Sequence, residues 1–314
     1  MERDAVIQEI AQSLAKTGFY VSEPHLIRGQ SFDVVARRDE TLLLLKVLLN
    51  VDAFSKAAAE ELKLVAMTLR GMPLLVGLRS GAGGLEPGVL YSRFGVPIIS
   101  RETLSDFLVD GVPPFVFSAP GGLYVHMDRD VLQQARGERG MSIGSLAEKA
   151  GVSRRTIQMY FEGMAATVDV AMRLEEFLGV PLVVPVDPFL KAPEHAELTT
   201  SWDAFERFEK EIFRKLVNLG YRVLPTVHSP FEAFTAEPAS EGVYLTGVGN
   251  AGEDVDEKVQ IVAEVSRVAE RDFVIFIERR HKVSATAGPL IDREDLRKLK
   301  DREDLQEMID ERKK

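Results

Sequence analysis

The sequence predicts a mixed α/β protein with an all-helical block set between two α/β domains. Three observations lead there. Residues 1–127 run through an amphipathic helix, three strand-like segments, a second helix and a further strand. The same order of elements returns after residue 200. Between them, residues 130–178 carry only helical periodicity, punctuated by serine and glycine.

The opening segment MERDAVIQEIAQSLAKTG repeats Val6, Ile7, Ile10 and Leu14 at helical spacing, and its acidic residues argue against a secretory signal. Strands are expected at residues 18–22, 31–37 and 41–48. The run LLLLKVLL is too apolar for an edge and reads as a central strand covered on both faces. A helix at 53–69 follows, then the strand PLLVGL, a glycine-rich loop, the strand PIIS and a helix after Arg101. That loop, SGAGGLEPG, lacks the Gly-Lys-Ser/Thr of a phosphate cradle and reads as a connector. GVPPFVFSAPGGLYVHMD reads as a hairpin turning at Pro120-Gly121-Gly122.

In the second half, a helix at 204–219 ends in GYRVLP as the first helix ends in GFYVSEP. PFEAFTAE stands where SFDVVARR stood, GVYLTGV where LLLLKVL stood, and FVIFIERR where PLLVGLRS stood. Duplication of one α/β domain around a helical insert accounts for this order. The tail IDREDLRKLKDREDLQEMIDERKK, with mixed charges at helical spacing, predicts two exposed helical segments. The proline-rich stretch at 181–193 reads as an exit strand and a stiff connector. Domains are therefore expected at 1–127, 128–185 and 201–314, with a linker over 186–200.

Composition narrows the function. The 314 residues are 45% apolar and 28% charged with a net charge of −10, which suits a soluble, cytoplasmic protein and offers no global attraction to phosphates. Any nucleic-acid contact must then be a local patch. The absence of cysteine excludes disulfides, thiolate zinc sites and cysteine nucleophiles. The five histidines lie far apart, and no apolar run reaches the ~18 residues of a membrane span. No cofactor and no metal are expected.

The sharpest signal is MSIGSLAEKAGVSRRTIQMYFEG. Ser142 is placed to cap one helix and Ser153 the next. Ala147 sits where two helices cross closely, and Gly151 supplies the tight turn between them. Ile157 and Tyr160 then face back toward Leu146, Ala150 and Val152. Helices at 130–136 and 168–178 complete a core with Val131, Leu132, Ala171, Leu174 and Phe177. Over residues 131–184 this pattern resembles the five-helix DNA-binding domain of Cro and the lambda repressor.

The resemblance implies that the helix at 153–161 lies in the major groove with its N-terminal residues toward base edges. Arg154 and Arg155 stand at the groove end, with Thr156, Gln158 and Met159 further along. In the resembling repressors the base-reading positions correspond to Arg154, Arg155 and Met159. Arginine can donate two parallel hydrogen bonds to guanine. Ser142 and Ser153 are candidate phosphate contacts. Ile143 departs from the polar residue that the phage repressors use there.

The first block resembles the core of restriction-endonuclease-like folds, which place an Asp on one strand and Glu-x-Lys on the next. Asp33 and Lys46 fit that pattern, but Leu44 occupies the second carboxylate position. One carboxylate holds magnesium poorly. In the second half Glu232 and Leu245-Thr246-Gly247 take the corresponding places. An active nuclease would need an acid from elsewhere, such as Glu9 or Glu60. The expectation is that Lys46 pairs with Asp33 at a strand edge and that the chain is not an enzyme.

The whole layout resembles an archaeal family of helix-turn-helix transcriptional regulators, with degenerate nuclease-like flanking domains. That resemblance implies a homodimeric, sequence-specific regulator of double-stranded DNA, whose outer domains dimerise or sense a small-molecule effector. The alternative is a DNA-processing nuclease or resolvase using Asp33 and Lys46.

Overall fold

Helix α1 (Arg3–Lys16) buries the predicted stripe of Val6, Ile7, Ile10 and Leu14, together with Ala11. The computed structural model describes residues 3–23, 30–81, 83–190, 202–237, 242–250, 255–278 and 288–313. His25, His195 and His281 lie outside the described residues, as do Ala82 of the glycine-rich loop and the connector from residue 191 to 201.

Strands β1 (Tyr20–Val21), β2 (Val34–Arg38) and β3 (Thr41–Asn50) form an antiparallel meander. Residues 42–47 of β3 are all buried, so both faces are covered. A short 3-10 turn (Val51–Ala53) delays the next helix. Ser55 then accepts from the Ala58 N–H and starts α2 (Lys56–Leu69) two residues past the turn. Gly71 follows because a Cβ there would lie 2.5 Å from the Leu44 side chain.

The chain continues through β4 (Met72–Ser80), β5 (Gly83–Gly84), β6 (Val89–Arg93), β7 (Val96–Ser100), α3 (Arg101–Val109), β8 (Val116–Ala119) and β9 (Gly122–Met127). Strand β6, VLYSR, is absent from the sequence reading, because five residues between Gly88 and Gly95 carry too little pattern. The hairpin is present, with Ala119 opposite Gly122.

Four helices and two short strands follow: α4 (Arg129–Glu138), α5 (Ile143–Ala150), α6 (Arg154–Phe161), β10 (Ala166–Thr167), α7 (Val168–Leu178) and β11 (Val183–Val184). The resemblance implied five helices. In this chain β11 takes the place of the fifth, because Pro181 and Pro185 bracket two β-branched valines that pair with Met127 and His126 of β9.

The second half comprises α8 (Arg207–Asn218), β12 (Arg222–Pro225), β13 (Ala233–Ala236), β14 (Val243–Gly249), α9 (Val255–Ala269), β15 (Asp272–Ile277), β16 (Leu290–Asp292), α10 (Arg293–Lys298) and α11 (Arg302–Arg312). Its sheet runs β12-β13-β14-β15-β16, antiparallel for the first two pairs and parallel for the last two. The first half has the matching elements in the same order, with β4 and β7 parallel. The two tail helices are not simply exposed. Leu296, Leu305 and Ile309 are buried in the core that contains Ile212, Phe276 and Ile291, because each helix keeps an apolar stripe inside its charge pattern.

The chain forms two compact units. One contains Met1–Val47, Ser55–Pro73 and Lys191–Lys314; the other contains Leu48–Phe54 and Leu74–Leu190. In the first, α9 packs against β2. Arg37 of β2 donates to the carbonyls of Val268 and Ala269 at 2.8 and 2.9 Å, which satisfies the open end of α9. In the second, β6 pairs with β8, and β9 pairs with β8, β10 and β11.

Candidate nucleic-acid interface

Serine starts both helices of the pair. The Ser142 and Ser153 hydroxyls accept from the Ser145 and Thr156 N–H groups at 3.0 and 3.1 Å. Gly151 ends α5 in the left-handed region at φ 70°, where a Cβ would be strained. Its N–H returns to α5, and Arg173 of α7 donates to the Ala150 carbonyl at 3.0 Å. Leu146, Ala147, Ala150, Ile157, Tyr160, Ala171 and Leu174 close one core with Leu132, while Val131, Val152 and Phe177 pack at its margin. The turn geometry and the buried faces together fix how α6 is presented.

What α6 presents outward is Arg154, Arg155, Gln158 and Met159, all exposed. Thr156 is half-buried, and its hydroxyl lies 2.8 Å from that of Ser153, so it belongs to the cap as much as to the outer face. Ser142 and Ser153 are exposed, and each can still offer its O–H outward while its oxygen caps. Arg154 lies against the first turn of α5: a Cβ on Gly144 would sit 2.9 Å from its Nε. Arg155 is exposed at the N-terminal end of the helix. Ser153→Ala removes one cap bond, for about 1 kcal/mol. Hydrogen exchange of the α6 amides is expected to accelerate about fivefold. Unchanged protection would show that the cap carries no weight.

The nuclease-like position is built differently. Asp33 is fully buried and Lys46 is 6% exposed, so the pair is internal and not at an exposed strand edge. Asp33 Oδ1 accepts from Lys46 Nζ at 3.2 Å and from the Arg3 guanidinium, and Oδ2 accepts from the Val47 N–H at 2.7 Å. Lys46 also donates to the Gln30 carbonyl. Burial pushes the Lys46 amine below its ordinary value, and Asp33 opposes that shift. Leu44 is fully buried where the second carboxylate would stand. Glu9 and Glu60 lie on exposed faces of α1 and α2, and Glu60 pairs with Lys56. These residues do not fit a divalent metal, because two cations already occupy the single carboxylate. Among the described residues no group of three histidines, cysteines or acids could hold one.

The second half repeats the carboxylate but moves its partner. Glu232 accepts from the Val248 N–H at 2.6 Å, as Asp33 does from Val47, and from Lys258 of α9 at 2.7 Å. Burial pushes the Glu232 carboxyl up to about 7 against the pull of Lys258. Glu209 of α8 lies close enough to add to that rise.

Known proteins resemble this chain throughout. Residues 3–114 match a family described as PD-(D/E)XK superfamily domain, and residues 132–184 match one described as Helix-turn-helix. A protein of Halobacterium salinarum named "Putative HTH-type transcriptional regulatory protein" is 37% identical over 99% of this chain and 98% of its own length. Proteins of the same name from Natronomonas pharaonis (37% identical, 99% of each chain) and Methanosarcina acetivorans (38%, 100% of this chain and 98% of its own) match as fully. The chain belongs to this archaeal family. No solved structure matches it.

Membership agrees with the resemblance read from the sequence, down to the helix-turn-helix span of 132–184 against the expected 131–184. Sequence reading missed Arg3, Lys258 and Arg173, three cations that reach their partners from other elements. Arg3 and Lys258 open or begin helices facing the sheet, and only the fold shows which strand each meets. Arg173 stood among ordinary surface charges of an amphipathic helix. Among the described residues, no helix is long and apolar enough to cross a membrane.

Proposed function

We propose that this chain is a sequence-specific, DNA-binding transcriptional regulator that reads the major groove with α6. The observation that carries the reading is the two-sidedness of α6: Ile157 and Tyr160 lock one face into the core while Arg154, Arg155, Gln158 and Met159 are exposed on the other. A helix held that way can lay its N-terminal residues along base edges. Arg155 and Arg154 are the guanine readers, Met159 and Gln158 the next contacts, and Ser142, Ser153 and Thr156 the groups nearest the phosphates. The working parts are a domain over 128–185, the outer α/β domains over 1–127 and 201–314, the second a diverged repeat of the first, and a linker over 186–200. The names of the relatives support the same reading.

The chain acts inside the cell and performs no catalysis. The match at residues 3–114 favours a second reading, a DNA-processing nuclease aimed by the helix-turn-helix. The occupation of Asp33 by Arg3 and Lys46 speaks against it. Footprinting on genomic fragments tests the primary reading: it expects protection of a defined sequence, and uniform binding to all fragments would overturn it.

One bundle contacts only a few base pairs, which gives poor discrimination against a genome of competing sites. A homodimer doubles the sequence read and raises the effective concentration at the second half-site. Light scattering is expected to give a dimer, and the operator to be a pseudo-palindrome with half-sites about 34–36 Å apart. A chain that stays monomeric on its best site, protecting one asymmetric half-site, is incompatible with this assembly.

A further inference from the structure

The hairpin β8–β9 has two faces with different neighbours. Side chains alternate across a strand, and Val116, Val125 and Met127 pack into the core of the DNA-binding bundle. Phe117 and His126 instead line a pocket of about 220 Å³ that opens to solvent on the side of Ser92, Gly95 and Leu190, with His126 itself exposed. Their rings stack at 4.7 Å between centroids and 22° between planes, and Tyr124 extends the row on the far side of Phe117 at 6.1 Å. Leu90 and Pro97 from β6 and β7 form a second wall, and Val186 and Leu190 a third.

Two contacts hold the segment that carries Val186. Val186 donates to the Pro114 carbonyl at 2.8 Å, and Phe189 packs edge-on against Phe107 of α3 at 5.0 Å. Just before it, Val184 of β11 pairs with His126 while Val183 packs on the bundle. One layer of backbone therefore separates the cavity from the bundle core. Strand β9 also runs directly into Asp128, whose carboxylate caps α4.

The lining defines the ligand chemistry. It contains no Asp, Glu, Lys or Arg, so nothing there would neutralise a charged ligand. On the face shared with Phe117, the Ser92 hydroxyl and the His126 imidazole are its side-chain polar groups. A cavity of roughly 150 Å³ admits a benzene ring. This one takes a single substituted or fused ring.

Resting on the DNA-binding reading above, we propose that the cavity is an effector site for a small, uncharged, planar ring compound. The ring stacks beside Phe117 and His126, hydrogen-bonds to the Ser92 hydroxyl and the imidazole, and shifts DNA affinity through β9. Such a ligand acts by favouring one placement of β9, and with it α4 and the bundle core, over another.

The test titrates the full-length protein with indole and, separately, with adenine, following the ring protons of His126 by NMR. At least one probe is expected to shift them saturably with a Kd under about 1 mM. The same probe is expected to change affinity for the footprinted DNA by about fivefold or more. Ser92→Trp, on the face of β6 that Leu90 and Phe117 share, fills the pocket and should abolish both responses while leaving probe-free DNA binding unchanged. Leu190→Trp, on the exposed third wall, does the same should Ser92→Trp melt early. Silence of His126 with both probes, or shifts that persist in the filled variants, overturns the site. Saturable shifts without any change in DNA affinity overturn the effector role. Should the probe-free protein select no DNA sequence at all, the DNA-binding reading itself fails, whatever the probes do at His126.

Discussion

Arg155→Ala is expected to weaken binding to the cognate DNA by about 1–3 kcal/mol, roughly 5- to 150-fold, and to relax preference at one guanine. Arg155 is exposed at the N-terminal end of α6, so its removal leaves no buried group without a partner and the fold intact. Random DNA should lose less, because sequence-independent binding rests on phosphate contacts. Competition titrations with cognate and scrambled duplexes at one salt concentration read both quantities. Equal losses on the two DNAs would place Arg155 on the backbone alone, and no loss on either would take it out of the interface.

Asp33→Ala acts on the fold. It removes the carboxylate that neutralises Lys46 and Arg3 inside the first unit, leaving Lys46 at 8% side-chain exposure without its ion-pair partner and Arg3 at 17% with the exposed Asp4, 3.7 Å away. Breaking a buried ion pair from one side costs about 3–5 kcal/mol. Denaturant unfolding should move to markedly lower concentration. A carboxylate held for a metal behaves oppositely, since its loss leaves stability unchanged or raised. Supercoiled plasmid with magnesium or manganese should remain intact in the presence of the native protein. Cleavage that vanishes in Asp33→Ala, together with an unshifted melt, would establish the nuclease reading and sink ours.

Much of this molecule could be read before it was seen, and the reasons differ by region. The helix-turn-helix is local: Ser142, Gly151 and Ser153 act on backbone within three or four residues, so their spacing states the geometry directly. The stripe of α1 is equally plain, because burial on one helical face imposes its period. Long-range partners left no such trace. Arg3 reaches Asp33 across thirty positions, and nothing in its neighbours marks it. The tail helices looked solvent-bound because their charges outnumber the few leucines and isoleucines that anchor them. A fifth helix is ruled out locally: prolines at 181 and 185 leave only an extended path. Arg154 stood in the right motif, but its packing over Gly144 needed the second helix in place.

The bond from Arg37 to the end of α9 joins residues 231 positions apart. A ribosome adds roughly 5–20 residues each second, so β2 waits about 12–46 s for the helix that covers it. During that interval the DNA-binding block, whose core draws only on residues 116–183, can already be complete. The growing chain therefore passes through a stage in which it holds a finished reading head and an uncovered sheet face. Such a nascent chain needs shelter from its neighbours on the same message, and the timing of α9, far more than that of the bundle, governs when the protein leaves that stage.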